Sequence, residues 1–289
     1  MAMVDGREVM PEELAAGLSE SAGGVALEEL VIDRRLASAL EGKGIRIGEE
    51  EVRREEALLR EALARGAGSG AGVGSEDQAA ELVRALQRAQ GLGPVRYGAL
   101  LRRSAGLRAL VRDQVQVTEE AVQVAYAAVH GPKHKVRLIV LATQREAGEV
   151  LGRLRGVEAG EALLVRFAAE AAARSTDASG PRGGEIEAFS VQDPAYPAVL
   201  RQTVAATPVG GLTPVMALSK GFGIALVMGV EPGSGVTLDA AREALRADVR
   251  LRQERVLMER EAARLLGTGG VTVLDGSLEF GWRTRRAAP

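Results

Sequence analysis

Residues 174–189, R-S-T-D-A-S-G-P-R-G-G-E-I-E-A-F, are the most informative stretch of the chain. An alanine-rich amphipathic run ends at Arg174, and an alternating pattern begins at Glu185. Between them Gly180, Pro181, Gly183 and Gly184 break a helix and permit backbone angles that other residues avoid. A polar loop held between a helix and a strand is a usual place for a site. Asp177 is the carboxylate inside it. The plain alternative is a connector with no chemistry, in which Asp177 turns the loop through its own backbone, as aspartate often does.

Other chemistries are narrowed by what the chain contains. It has no cysteine, which excludes disulfides, thiol catalysis and cysteine metal sites. His130 and His134 flank a Gly-Pro turn and read as solvated surface groups. The run 66–74, G-A-G-S-G-A-G-V-G, lacks the Gly-Lys-Ser/Thr ending of a phosphate loop and reads as a flexible linker or loop tip. Arg96, Arg102, Arg103, Arg108 and Arg112 lie on one expected helix. With 37 basic against 39 acidic residues and a formal charge of -2, they read as a solvated face rather than a nucleic-acid surface. No cofactor or metal is called for. No apolar run is long enough to span a bilayer, and the N-terminus lacks the charged and apolar regions of a secretory signal.

The elements that must position the loop follow from periodicity. A chain of 289 residues with 46% hydrophobic content supports two or more domains, and at 3% aromatics the cores must be packed mainly with Ala, Leu and Val. A short extended piece with an Asp-Gly turn is expected over 1–8. Helices are expected over 11–20, 25–41, 49–64, 75–90, 94–114 and 118–129. Pro11 and Pro94 suit first helical turns, Ser75 with Gln78 forms a capping-box pattern, and Thr118 caps the last of these helices. Beyond them, V-R-L-I-V-L at 136–141 suits a buried strand. Helices follow over 145–154 and 161–173, then a strand at 185–189 and a helix at 196–205. Strands over 213–218 and 222–230 come next. This order implies a small α+β domain with a four-stranded, mainly antiparallel sheet. Thr237 caps a long helix over 238–266 that packs back on the N-terminal helices. A strand-like piece follows at 271–274, Phe280 and Trp282 are candidate anchors, and the tail 283–289 is expected to be disordered.

These residues resemble the parvulin family of peptidyl-prolyl isomerases. V-R-L-I-V-L, S-T-D-A-S-G-P-R-G-G-E-I, the Pro-Val of L-T-P-V and F-G-I-A-L-V carry the likeness, and S-T-D followed by G-G-E is its most specific part. The flanks resemble SurA- and PrsA-type extracytoplasmic chaperones. There the matching runs are V-D-G-R-E-V-M-P-E-E-L, L-E-E-L-V-I-D-R-R-L-A-S-A-L-E-G-K-G-I-R-I-G-E-E-E-V, G-L-G-P-V-R-Y-G-A-L-L-R-R with V-T-E-E-A-V-Q-V-A-Y, and V-T-V-L-D-G-S-L-E-F. The resemblance implies a helical chaperone-like domain at 1–133, a parvulin-like domain inserted at 134–233, and a C-terminal helix and tail at 234–289 that complete the first domain.

The family's site uses two facing histidines, a Cys or Asp from the loop after the third helix, and Met and Phe for the proline pocket. Carried over, the histidine positions fall on Leu138 and Ala225, the Phe position on Val199 or Leu200, and the Cys/Asp position on Asp177. The Met position has no counterpart nearby. The candidate site is therefore Asp177 with Leu138, Val199, Leu200, Phe222 and Ala225 as substrate-lining residues. The expected function is a chaperone that binds unfolded or exported polypeptides outside the cytoplasm, with weak or lost isomerase activity. An active isomerase and a non-catalytic scaffold with one dedicated partner are the alternatives.

Overall fold

The computed structural model of the chain describes residues 2–5, 7–67, 76–267 and 269–287. They fall into two units, Met1–Val115 with Arg252–Pro289, and Gln116–Leu251. The expected linker at 66–74 lies outside the described residues from position 68 onward, as does the expected cap Ser75.

The first unit opens with a hairpin, β1 (Ala2–Val4) and β2 (Arg7–Val9), paired antiparallel about Asp5, whose φ is 50°. Helix α1 (Pro11–Leu18) then runs through a π turn (Ser19–Gly23) directly into α2 (Gly24–Gly42). The expected helices, 11–20 and 25–41, left a gap here. Gly24 instead serves a close approach: a Cβ on it would stand 2.1 Å from the carbonyl oxygen of Gly281. Helices α3 (Glu49–Ala67), α4 (Glu76–Ala89) and α5 (Pro94–Val111) follow, and Leu36 of α2 forms a core with Leu107, Leu110 and Val111 of α5 and with Leu265.

Of the five arginines expected on a solvated face, Arg102 and Arg112 are exposed, but the other three are engaged with carboxylates. Arg96 pairs with Glu29 at 2.7 Å and Arg103 with Asp33 at 2.6 Å. Arg108 bridges Glu55 and Glu254, both of them buried. Partners so far away in sequence leave no local signature. The C-terminal end also differs from expectation. Residues 271–274 form no strand, having no partner strand beside them among the described residues. The tail is helical through α11 (Gly276–Ala287), with Asp275 accepting a 2.8 Å hydrogen bond from the Leu278 amide as its N-cap.

The second unit contains α6 (Glu119–His130), β3 (Lys133–Leu141), α7 (Gln144–Arg155), α8 (Glu161–Arg174), α9 (Ala198–Ala206), β4 (Met216–Leu218) and β5 (Gly221–Glu231). It also holds the first part of α10 (Leu238–Gly267). Thr118 and Thr237 cap α6 and α10 through their hydroxyls, as expected. Val122, Ala125, Ala241, Leu245 and Val249 join α6 to α10 in a core of their own.

The sheet is antiparallel in the order β3-β5-β4, with three strands rather than four. The fourth expected strand, 185–189, touches β3 only at two isolated bridges, His134↔Phe189 and Arg137↔Glu185. Three steps along β3 face four steps along this segment, so the register slips by one residue and no continuous ladder forms. β5 also gains a residue opposite the same Lys135/Val136 joint. β4 is shorter than expected for a related reason. Leu212 bridges Leu226, but Met216 pairs with Gly223, one residue out of register, and Pro214 between them has no N–H to donate.

Alternation along the central strands separates two cores. Ile139, Leu141, Ile224 and Leu226 meet Val150, Leu154 and Phe167 of α7 and α8. Val136, Leu138, Val140, Ala225 and Val227 meet Leu200 and Val204 of α9 together with Phe189 and Met216.

Candidate functional site

β3 and β5 bring Leu138 and Ala225 face to face as Cα partners in the ladder. Both are buried, Ala225 completely. Leu200 of α9 belongs to the same cluster, so three of the candidate lining residues meet there. The other two do not. Val199 is 36% exposed, on the side of α9 away from the core. Phe222 points to the opposite face of the sheet and packs against the core of α7 and α8. An even number of steps along β5 places it with Ile224 and Leu226, not with Ala225.

Three residues that the sequence did not reveal complete the cluster. Met216 is 2% exposed and packs with Leu138, Ala225 and Leu200, so a methionine does lie in this cluster. Phe189 is buried and stacks on Tyr196, with ring centroids 4.2 Å apart. Thr213 is fully buried, and its hydroxyl accepts the Ala225 amide at 2.8 Å. The alternating apolar pattern after Pro214 was the one available signal for Met216. Burial, then the charges of Glu187 and Asp193, push the Tyr196 phenol above its ordinary range and keep it protonated.

The loop at 174–189 is sewn to the edge of β3. Ser175 Oγ accepts from the Val140 amide at 3.1 Å, and the Thr176 amide donates to the Val140 carbonyl at 2.8 Å. Further on, the Leu138 amide donates to the Gly184 carbonyl at 2.7 Å. Arg137 donates to the Gly183 carbonyl at 2.8 Å and pairs with Glu185. Asp177 is half-buried. One of its carboxylate oxygens accepts both the amide (2.9 Å) and the hydroxyl (2.5 Å) of Ser179, and its own carbonyl accepts the Gly180 amide at 2.9 Å. This is an Asx turn that closes the loop on itself.

The chemistry available is therefore apolar contact with a protonated phenol beside it. The side chains packed around Leu138 and Ala225 are apolar: Val136, Val140, Phe189, Leu200, Val204, Met216 and Val227. Among the described residues no group of histidines and carboxylates could hold a metal ion, and no helix is long and apolar enough to cross a membrane.

His134 is not the solvated surface group expected. It is half-buried on β3, Nδ1 has no hydrogen-bond partner, and burial lowers its pKa. A histidine whose folded pKa lies below its unfolded value contributes stability above about pH 6.5, the unfolded value, and loses it as pH falls through the folded value. His134→Leu should flatten the fall in stability between neutral and mildly acidic pH. Urea unfolding of both proteins across that interval is the measurement, and equal pH slopes would show that His134 is not responsible.

No protein-family profile matches the chain, and no curated protein matches it. Among solved structures it is similar to the peptidylprolyl isomerase PrsA of Bacillus anthracis, with 14% identity over 86% of this chain and 100% of that one and a TM-score of 0.51. PrsA of Bacillus cereus aligns over 99% of this chain and 97% of its own, at 17% identity and a TM-score of 0.43. A SurA-like chaperone of Campylobacter jejuni aligns over 94% and 99%, at 16% identity and a TM-score of 0.36. The first of these likenesses shows a shared fold, the α+β arrangement expected from the resemblance.

Proposed function

We propose that the chain is a PrsA- and SurA-like chaperone with a parvulin-like domain that holds unfolded polypeptides and has lost X-Pro isomerisation. The observation that carries this reading is the pairing of Leu138 with Ala225 in a dry apolar cluster, at the positions where the resemblance puts the family's two histidines. Rotation about an X-Pro bond meets a resonance barrier of about 18–20 kcal/mol. A site lowers it by stabilising the twisted amide more than the planar one, which needs polar groups aimed at the bond. Here the buried Thr213 hydroxyl is engaged with the Ala225 amide, and Asp177 is engaged with Ser179. What remains is a closed apolar core of Met216, Leu200 and Phe189 with the partly exposed Tyr196 at its edge, which offers the amide no polar group.

The proposed organisation keeps the parvulin-like domain at 134–233, between helical residues 1–133 and 234–289. The fold shared with a solved structure named PrsA supports the chaperone assignment, and an extracytoplasmic location goes with it. The clients are unfolded or exported polypeptides.

A protease-free isomerisation assay on a proline-containing peptide tests the loss of activity. The wild-type rate should lie within about two-fold of the uncatalysed rate, a difference of under ~0.5 kcal/mol in the barrier, and Asp177→Ala should not change it. A large acceleration that disappears in Asp177→Ala would establish the alternative, an active isomerase. Suppression of aggregation of a chemically unfolded protein tests the chaperone part. If neither the whole chain nor the chain without 134–233 suppresses it, the molecule is better described as a scaffold for one dedicated partner.

A further inference from the structure

Within the first unit, the end of α10 and the faces of α2 and α11 enclose a hollow of about 410 Å³. Glu28, Ala263, Leu266, Gly267, Trp282 and Arg285 line it, and Arg286 completes the wall. Its volume lies within the range of small-ligand sites.

The charges in this hollow do not cancel. Glu28 is taken up by Arg285 through two hydrogen bonds, of 2.7 and 3.3 Å. The carbonyls of Leu265 and Leu266, which would present the negative end of α10, accept from Arg35 at 2.7 and 2.9 Å. Arg286 has no carboxylate partner among the described residues. Its guanidinium stands 5.6 Å from the centroid of the Trp282 ring. An arginine held over an indole keeps its planar donors directed and available, and a carboxylate is the anion that fits them best. Beside it, Trp282, Leu266 and Ala263 supply an apolar wall, and Gly267, the last residue of α10, lies at the rim.

We infer that this hollow binds the C-terminal carboxylate of a polypeptide whose last side chain is apolar. Arg286 takes the carboxylate, the Trp282 and Leu266 wall takes the side chain, and the end of α10 offers an acceptor to the peptide N–H. The site lies wholly in the first unit and does not depend on the isomerase reading.

Trp282 is the single tryptophan of the chain, so its fluorescence reports directly on the hollow. The probe is an acetylated alanyl-alanyl-leucine peptide with a free carboxylate, titrated into the full chain beside the same peptide as its C-terminal amide. The free acid should give a saturable change and bind about tenfold more tightly than the amide, the scale of one charge-assisted hydrogen-bonded contact. Arg286→Gln should remove that preference and leave the weak binding of the amide unchanged. Octanoate, a carboxylate without a peptide bond, should bind more weakly than the peptide acid. The inference is overturned by the absence of saturation at millimolar peptide, by equal affinity for acid and amide, by an unchanged preference in Arg286→Gln, or by octanoate binding as tightly as the peptide. A failed aggregation assay leaves this test untouched, and the reverse also holds.

Discussion

Replacing Arg108 with methionine lowers the stability of the first unit by about 3–5 kcal/mol, the usual cost of removing one partner from a buried ion pair. Arg108 donates to Glu55 through two of its nitrogens, one bond measuring 3.0 Å, and through a third to Glu254. The exposures of the two carboxylate side chains are 6% and 8%, so water cannot replace the lost cation. Burial alone would lower the pKa of Arg108, but the hydrogen bonds and charges of Glu55 and Glu254 outweigh it, and the guanidinium is held above its ordinary value. In the methionine variant two carboxylates would face each other without a counter-charge. Methionine fills most of the arginine stem, so lost packing contributes little. Equilibrium urea unfolding measures the loss. The triple variant Arg108→Met, Glu55→Leu, Glu254→Leu supplies the control: removing all three charges should recover most of it, because the attraction within a buried triad mainly offsets its own desolvation. A single-variant loss below about 1 kcal/mol would mean that the triad is solvated like a surface pair.

That triad also shows where the sequence stops being informative. Helical periodicity located α2, α3, α5 and α10 to within a few residues, and Thr118 and Thr237 marked two helix starts correctly. Periodicity says which face of a helix is apolar, not which charge on the other face meets a distant carboxylate. Glu55 and Glu254 lie 53 and 146 residues from Arg108, and so an interior clamp read as a solvated face. The gap left at 21–24 is the opposite error: Gly24 is a contact point inside a continuous helical passage, because the backbone of Gly281 packs against it.

At the candidate site, the nearly continuous apolar run at 136–141 was enough to read a buried strand, and the family likeness suggested that Leu138 and Ala225 face each other. The ladder places them in register. Met216 stayed hidden because the register slip at Pro214 obscures which face the following residues take. His134 stayed hidden for a similar reason: its partial burial comes from the segment ending at Phe189, which joins β3 through isolated bridges that no strand pattern announces.

The loop at 174–189 is held to β3 by backbone more than by Asp177, and Gly184 is where that can be measured. Its φ is 79°, a conformation that costs an L-residue about 1–2 kcal/mol. A Cβ on Gly184 would also stand 2.5 Å from the Leu138 carbonyl oxygen, and neither backbone can turn aside as a flexible side chain would. Gly184 accepts the Leu138 amide and donates to the Ser179 carbonyl, so any shift stretches both bonds at once. Overpacking of this kind adds about 1–3 kcal/mol, and Gly184→Ala should therefore cost about 3 kcal/mol in total. Gly210 separates the two contributions. Its φ is 80°, but a Cβ there meets nothing within 4 Å, so Gly210→Ala should cost only the backbone part, about 1 kcal/mol. Urea unfolding of the two variants gives the difference, and amide exchange at Leu138 locates it, since that amide should lose protection in Gly184→Ala and keep it in Gly210→Ala. Equal costs with unchanged exchange at Leu138 would show that the loop is anchored elsewhere, and that the G-G-E of the family likeness serves the turn alone rather than the seat of the loop on β3.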